Sequence, residues 1–232
     1  MSQKITRTDS GSIIQLLLLG VTAALITVTG IVLKQSFTNI LPLYISLIIA
    51  LMQSKVNRIA YLIGAANSIL YAVVYVHFKL YASAAYAVLF SCTIQLFTYF
   101  LWSRRPSGKA TVFRKMKPIQ RIIVALGFAA AWVIVYAVIS ATDSGYRIFD
   151  VSVSLLGILV SLLTMLAYIE YVPLMILSQL ISIGLYLVMM RENPAQITYL
   201  ILTLFSLTCQ LRALKKVHIL YKQQNQAHCE VT

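Results

Sequence analysis

The chain has 232 residues, of which 60% are hydrophobic and only 11% are charged. About a quarter of the residues of a soluble globular domain are charged, so this composition excludes an ordinary soluble fold. The formal net charge of +13 does not require a nucleic-acid partner, because lysine and arginine accumulate in the cytoplasmic loops of membrane proteins. The sequence therefore predicts an all-α polytopic membrane protein that lies in the lipid bilayer and binds no nucleic acid.

Long apolar runs follow one another between residues 13 and 213. A helix needs roughly 20 apolar residues to cross the hydrocarbon core of a bilayer. Eight spans are predicted, at 13–33, 37–53, 57–78, 81–103, 121–141, 149–167, 171–190 and 195–213. The first apolar run is too long for a signal peptide, and no small-residue cleavage site follows it before Lys34. We therefore expect residues 13–33 to remain as an extra N-terminal span.

Residues 104–120, between spans 4 and 5, form a basic loop without a single acid. The positive-inside rule places this loop in the cytoplasm. Threading the chain outward from it puts both termini on the same side, so that residues 1–12 and 214–232 are predicted to be cytoplasmic tails. Few basic residues are then left on the opposite side, namely Lys34, Lys79, Arg147 and Arg191.

Two stretches of eight residues, LFSCTIQL at 89–96 and LFSLTCQL at 204–211, agree at six of their eight positions. The same offset of 115 positions relates Ser46 to Ser161 and Tyr71 to Tyr186, each with a neighbouring leucine that also recurs. One offset shared by three spans of each half predicts two copies of a three-helix unit.

The two predicted copies are residues 37–103 and 149–213. Because three is an odd number, the linker span at 121–141 has to lie between them if both copies are to enter the membrane from the same side. The predicted fold is a 3+1+3 bundle with parallel repeats. Transporters built in this way hold their substrate near the midplane, between the repeats.

The duplicated phrase places Gln95 and Gln210 at equivalent positions inside apolar spans. One amide in a membrane helix is often a hydrogen bond between helices, but a symmetric pair favours a shared polar cavity. Amides both donate and accept, which suits a polar but uncharged ligand, and tyrosines would stack on a planar ring. The predicted substrate-binding residues are Asn67, Gln95, Gln179, Gln210, Tyr71, Tyr86, Tyr186 and Tyr199.

Nothing in the sequence points to an enzyme, a cofactor or a metal site. The acids lie at span ends or in loops, and none accompanies a base or a nucleophile in a common span. The three cysteines and three histidines are scattered without metal-ligand spacing. Since no carboxylate is expected inside the membrane to relay protons or sodium, facilitated diffusion is the predicted mechanism.

The sequence resembles the PnuC family of vitamin transporters, best known for the uptake of nicotinamide riboside. The resemblance rests on VNRIAYLIGAANSILYAVVYVHFKLYAS in the first half, on LWSR at the end of span 4, and on FDVSVSLLGILV, LSQLISI and ITYLILTLFSL in the second half. It implies a fold like that of the SWEET sugar transporters, a bacterial inner-membrane location and a homotrimer. It also implies a cytoplasmic kinase that phosphorylates the substrate and traps it.

One motif of the family differs in this chain. Nicotinamide riboside members carry W-x-x-W-x-x-x-N in the seventh span, and the matching positions here are Val172, Met175 and Gln179. Asn67 matches the asparagine of the third span, and Gln95 and Gln210 stand where members often carry asparagine. Thiamine, a deoxynucleoside or another vitamin therefore remain alternative substrates. A membrane receptor or interaction module without transport is the alternative of another class.

Overall fold

The computed structural model describes residues 6–104, 106–107, 110–142 and 145–229. Residues 1–5 and 230–232 of the predicted tails lie outside this range, as do Arg105, Gly108 and Lys109 of the basic loop. The described residues contain eight helices that are long and apolar enough to cross a membrane, as the sequence predicts. Their bounds are Thr6–Val32, Phe37–Ser54, Ile59–His77, Tyr81–Arg104, Pro118–Ser140, Arg147–Met165, Tyr171–Met189 and Ile197–Cys229. A 3₁₀ turn at Pro194–Gln196 precedes the last of them.

Spans 1, 2, 3 and 6 all end in the same local structure. The second residue after each helix has a positive φ angle, at Lys34, Val56, Lys79 and Ala167. The residue after each of these donates a backbone hydrogen bond to a carbonyl five positions earlier, as in Gln35 to Gly30 and Tyr168 to Leu163. These are Schellman motifs, which usually carry glycine at the left-handed position. Here the tight turns between spans form without glycine.

Six of the helices pack into a closed ring. Span 2 contacts span 3, span 3 contacts span 4, span 4 contacts span 6, span 6 contacts span 7, span 7 contacts span 8, and span 8 returns to span 2. Span 1 lies outside the ring against spans 2 and 8, and span 5 lies outside it against span 6. The six ring helices are the ones that the sequence assigns to the two three-helix units. The parallel duplication itself stays a prediction.

Span 4 is not a regular α-helix. It is α-helical at Tyr81–Ala85, winds into a π-helix at Tyr86–Ser91, and returns to α-helix at Cys92–Arg104. A π-helix has more residues per turn than an α-helix and occurs frequently at functional sites. Its effect here is to rotate the following residues, including the start of the duplicated phrase, relative to the turn before it.

The end of the bundle that carries Lys55, Lys115 and Lys216 is called the basic end below. Here the predicted loop is largely ordered, with two short antiparallel strands at Pro106–Ser107 and Ala110–Thr111. Phe113 is buried and meets Trp102 edge-on, with ring centroids 5.8 Å apart. The backbone of Arg114 exchanges hydrogen bonds with Ala167 and Ile169, in the turn between spans 6 and 7. The loop is thus fastened to the second half of the chain.

The predicted C-terminal tail at 214–232 differs most from the sequence interpretation. Span 8 does not stop near residue 213 but continues as one helix to Cys229. Val217 is fully buried in a cluster with Trp102 and Phe113. The Gln224 side chain accepts a hydrogen bond from the backbone of Phe113 and donates one to the carbonyl of Thr111. The helix continues because its apolar side has the loop to pack against.

Candidate functional site

A cavity of about 330 Å³ lies inside the ring of helices. It is lined by residues from all six ring helices, and most of their side chains are polar, aromatic or small, with a few aliphatic ones such as Ile49, Val153 and Leu202. Among the residues that the structure describes, no charged side chain lines it. It extends to Ser54 and Tyr171, at the basic end of spans 2 and 7, and toward the opposite end its lining includes Tyr75 and Tyr186. The site is therefore a neutral polar chamber between the halves of the chain.

The structure gathers most of the predicted site residues around this cavity. Those that line it are Asn67, Gln95, Gln179, Gln210, Tyr71, Tyr86 and Tyr186. Tyr199 does not line it, contrary to the expectation from the sequence. Its hydroxyl donates to the carbonyl of Asn39, and its ring stacks on Tyr186 with centroids 5.7 Å apart. Tyr199 therefore supports a residue of the cavity wall from behind.

Residues separated by 115 positions meet at the cavity. Among the described residues, the pairs at this offset with both members in the wall are Ser46 and Ser161, Ile49 and Thr164, Gly64 and Gln179, Asn67 and Ser182, Tyr71 and Tyr186, Ser91 and Ser206, Gln95 and Gln210, and Thr98 and Ala213. The two halves of the chain thus contribute corresponding positions to one chamber. This is the arrangement that two three-helix units related by an axis through the cavity would produce.

Asn67 is buried, and its orientation follows from its neighbours. Its amide nitrogen donates to the carbonyl of Pro42 at 3.1 Å and to the hydroxyl of Ser46 at 2.9 Å. A backbone carbonyl only accepts, so the nitrogen of the amide has to face Pro42. The oxygen of Asn67 then has no hydrogen-bond partner among the described residues, although it is buried. Asn67 presents a fixed acceptor.

Gln95 is held by two serines. Its amide nitrogen donates to Ser68 at 3.0 Å and to Ser91 at 2.7 Å, and the two hydroxyls are 2.8 Å from each other. The amide oxygen lies over Gly64, where a β-carbon would come within 1.9 Å of it. Both N–H groups of Gln95 are therefore occupied by the protein, and Gly64 is needed for the close approach.

Gln210 occupies the equivalent position in the second half, but its surroundings differ. Its amide oxygen is buried and has no hydrogen-bond partner in the described part of the chain. The position that corresponds to Ser68 is Ile183, whose side chain offers no hydroxyl. The duplicated phrase thus gives one glutamine that is anchored by the protein and one with an unused acceptor.

Serines and threonines make up much of the wall, and the sequence analysis did not single them out as site residues. Ser178, Ser182 and Tyr186 are spaced by four residues and form one stripe of span 7 that faces the cavity. Ser46 and Ser161 are hydrogen-bonded to Tyr71 and Tyr86, respectively. The four-residue spacing was the feature of the sequence that could have predicted these wall residues. A single serine or threonine does not predict a binding site, because hydroxyls in membrane helices often bond to the backbone of their own helix.

The sequence profile of the nicotinamide mononucleotide transporter family matches residues 36–213. The chain belongs to this family. The crystal structure of the vitamin B3 transporter PnuC superposes with a TM-score of 0.77 over 90% of this chain and 92% of that chain, at 17% sequence identity, and has the same fold. No curated protein matches the sequence. The protein is thus a multi-pass membrane protein of a family of vitamin transporters, not an enzyme.

Proposed function

We propose that this protein takes up a small nucleoside-like vitamin, first of all nicotinamide riboside, by facilitated diffusion. The observation that carries the proposal is the neutral cavity between the halves of the chain, with an amide from each half in its wall. Its volume of about 330 Å³ lies at the lower end of the range for small-molecule sites. A single nucleoside-sized molecule suits such a space.

The unused acceptors of Asn67 and Gln210 support a ligand that brings hydrogen-bond donors. Both oxygens are covered in this conformation, so the amide has to rotate before a ligand N–H or O–H can reach it. A buried acceptor without a donor costs about 1–3 kcal/mol, which favours such a contact once it is open. Nicotinamide riboside carries donors on its carboxamide and its ribose. Its pyridinium ring is a cation, which the faces of Tyr71, Tyr86 and Tyr186 would attract without a counter-charge.

The proposed mechanism is alternating access, in which one half of the ring rocks against the other around the cavity. The absence of carboxylates from the described lining supports transport without proton or sodium coupling. The basic end faces the cytoplasm in this proposal, because most lysines and arginines lie there. The family resemblance adds a bacterial inner membrane, a homotrimer and a kinase that traps the substrate.

Thiamine and deoxynucleosides are the alternative substrates. Met175 lines the cavity at a position where nicotinamide riboside members carry tryptophan, whereas Val172, the other such position, is buried in the core outside the cavity. A flexible methionine fills irregular space without imposing the flat face of an indole. The wall at span 7 is therefore compatible with rings other than nicotinamide.

Uptake by purified protein in liposomes tests the proposal. Labelled nicotinamide riboside, thiamine and thymidine are offered separately, with empty liposomes as the control. We expect uptake of at least one of them to stop when inside and outside concentrations are equal, with or without an imposed proton or sodium gradient. Accumulation driven by a gradient would contradict facilitated diffusion, and uptake of none of the three would contradict the proposed substrate class.

A further inference from the structure

Tyr86 gives the cavity an aromatic wall that has no counterpart in the other half of the chain. The position 115 residues later is Ile201, which does not line the cavity. Tyr86 is also the first residue of the π-helix, whereas residues 201–206 belong to a regular α-helix. The two halves of the wall are therefore unequal at this point, both in side chain and in backbone.

Tyr86 crosses from the first half of the chain to span 6 of the second half. Its hydroxyl lies 3.1 Å from the hydroxyl of Ser161. The end of its ring rests on Gly157, one turn earlier in span 6. A β-carbon at Gly157 would come within 2.8 Å of the ζ carbon of Tyr86 and 3.0 Å of a neighbouring ring carbon. Real β-carbons essentially never approach another atom so closely, so the ring lies where it does only because residue 157 is glycine.

The same face of span 6 also fixes the start of span 4. The carboxylate of Asp150 accepts hydrogen bonds from the backbone N–H groups of Ala82 and Ser83 and from the Ser83 hydroxyl, at 3.1, 3.1 and 2.6 Å. Ser83 lies three residues before Tyr86, and Asp150 is fully buried. Because Asp150 holds the start of span 4 in place, span 4 has little freedom to move and relieve a clash between the ring of Tyr86 and residue 157.

We propose that Gly157 is a specificity-determining residue of the transporter, because it leaves the space in which the ring of Tyr86 lies back from the cavity. This inference rests on the proposed function. It adds that the contact between Gly157 and Tyr86 limits the width of the ring system that the substrate can have. A methyl group at residue 157 forces a rigid aromatic ring to shift, and because Gly157 and Tyr86 both line the cavity, this shift changes the space beside Tyr86. Ring systems that lie against Tyr86 lose space, and the widest lose most.

The test compares Gly157→Ala with Gly127→Ala. Gly127 lies in span 5, where an added β-carbon meets nothing within 4 Å, so it controls for the general effect of alanine in a membrane helix. The half-saturation concentration for uptake is measured with each of nicotinamide riboside, thymidine and thiamine that the parent protein takes up. We expect Gly157→Ala to raise the half-saturation concentration by about tenfold or more for the transported probe with the widest ring system. One added methyl group in a specificity pocket typically has an effect of this size.

Gly127→Ala is expected to leave each measured half-saturation concentration at the value of the parent. The double variant Tyr86→Ala/Gly157→Ala is expected to behave like Tyr86→Ala alone, because the methyl group then has no ring to displace. A half-saturation concentration that Gly157→Ala does not change overturns the proposal. So does an effect of Gly157→Ala that persists undiminished in the Tyr86→Ala background, since the methyl group would then act without the tyrosine.

A second measurement separates this inference from the proposed function. If the parent protein takes up none of the three probes, the proposed substrate class is wrong. The contact between Tyr86 and Gly157 can still be tested by measuring the melting temperature. Gly157→Ala is expected to lower the melting temperature, and its effect is expected to shrink in the Tyr86→Ala background. Strictly additive shifts would overturn the contact between Gly157 and Tyr86, and with it the assigned role.

Discussion

Gln35 and Asp150 occupy corresponding places in the two halves of the chain, 115 positions apart. Asp150 bonds to the start of span 4 at Ser83, and Gln35 bonds to the start of span 8, at the carbonyl of Ala195 and the hydroxyl of Thr198. Ser83 and Thr198 are themselves separated by 115 positions. Each half of the chain therefore holds the third helix of the other half. The carboxylate of Asp150 holds span 4, and the amide of Gln35 holds span 8.

Replacing the carboxylate of Asp150 by an amide, or the amide of Gln35 by a carboxylate, should destabilise the protein. Asp150→Asn places an NH₂ group against N–H donors that now face a carboxylate, and hydrogen bonds to charged groups contribute about 1.5–3 kcal/mol each. Gln35→Glu places a carboxylate against the carbonyl of Ala195. We expect a lower melting temperature in detergent for both variants, with Gln35→Asn as a milder control. Equal stability of parent and Asp150→Asn would show that the carboxylate is not needed.

The two glutamines of the duplicated phrase should respond differently to leucine. Gln95→Leu removes two hydrogen bonds to serines, so stability should fall by about 1–2 kcal/mol. Gln210→Leu removes an acceptor that the protein leaves unused, so stability should hold or rise. Substrate affinity should fall about five- to a hundredfold in Gln210→Leu, if the ligand supplies its donor there. Measuring both quantities on the same preparations checks this, and identical behaviour of the two variants would contradict the asymmetry.

The helix beyond residue 213 should be required for stability. Ending the chain after Ala213 removes the fully buried Val217 and the hydrogen bonds of Gln224 to the loop. Burying one such apolar side chain contributes about 1.5–3 kcal/mol. We expect a clearly lower melting temperature and faster proteolysis of the loop at Arg114 and Lys115. A chain ending after Gln226 keeps these contacts and should match the parent.

The basic end should face the cytoplasm. In a Cys229→Ser background, a membrane-impermeant thiol reagent applied to intact cells should label Lys79→Cys from outside. It should label Lys115→Cys only after the membrane has been made permeable. Both positions are exposed and lie at opposite ends of the bundle. The reverse pattern would refute the orientation inferred from charge.

A glycine at a left-handed turn should stabilise the protein. Lys34 has a φ of 49° and an exposed side chain at the end of span 1. The left-handed conformation costs a residue with a β-carbon about 1–2 kcal/mol relative to its usual region, and glycine avoids this cost. Lys34→Gly should raise the melting temperature. Lys34→Ala, which keeps the β-carbon, should not, and a gain in both variants would point to the charge instead.

The number of spans and the amide side chains around the cavity could be predicted from the sequence, because the lengths of the hydrophobic runs and the duplicated residues indicate them directly. The inequality of Gln95 and Gln210 could not, because it depends on whether Ser68 or Ile183 lies beside the amide in space. Tyr199 and Tyr186 look alike in the sequence, yet only the packing of span 8 against Asn39 decides which one faces the cavity. The helix beyond Ala213 was visible in part, since Leu214, Val217 and Tyr221 recur at helical spacing.

The uninterrupted helix from Ile197 to Cys229 would carry any tilt of span 8 to the basic end of the bundle. At 1.5 Å per residue, its 33 residues extend about 50 Å, and about half of this length projects past residue 213. If span 8 tilts during transport by about 10°, the far tip sweeps through several ångströms, since displacement grows with distance along a rigid helix. A fluorophore on a cysteine near Gln226 would then register each cycle of the carrier from a point that never touches the substrate.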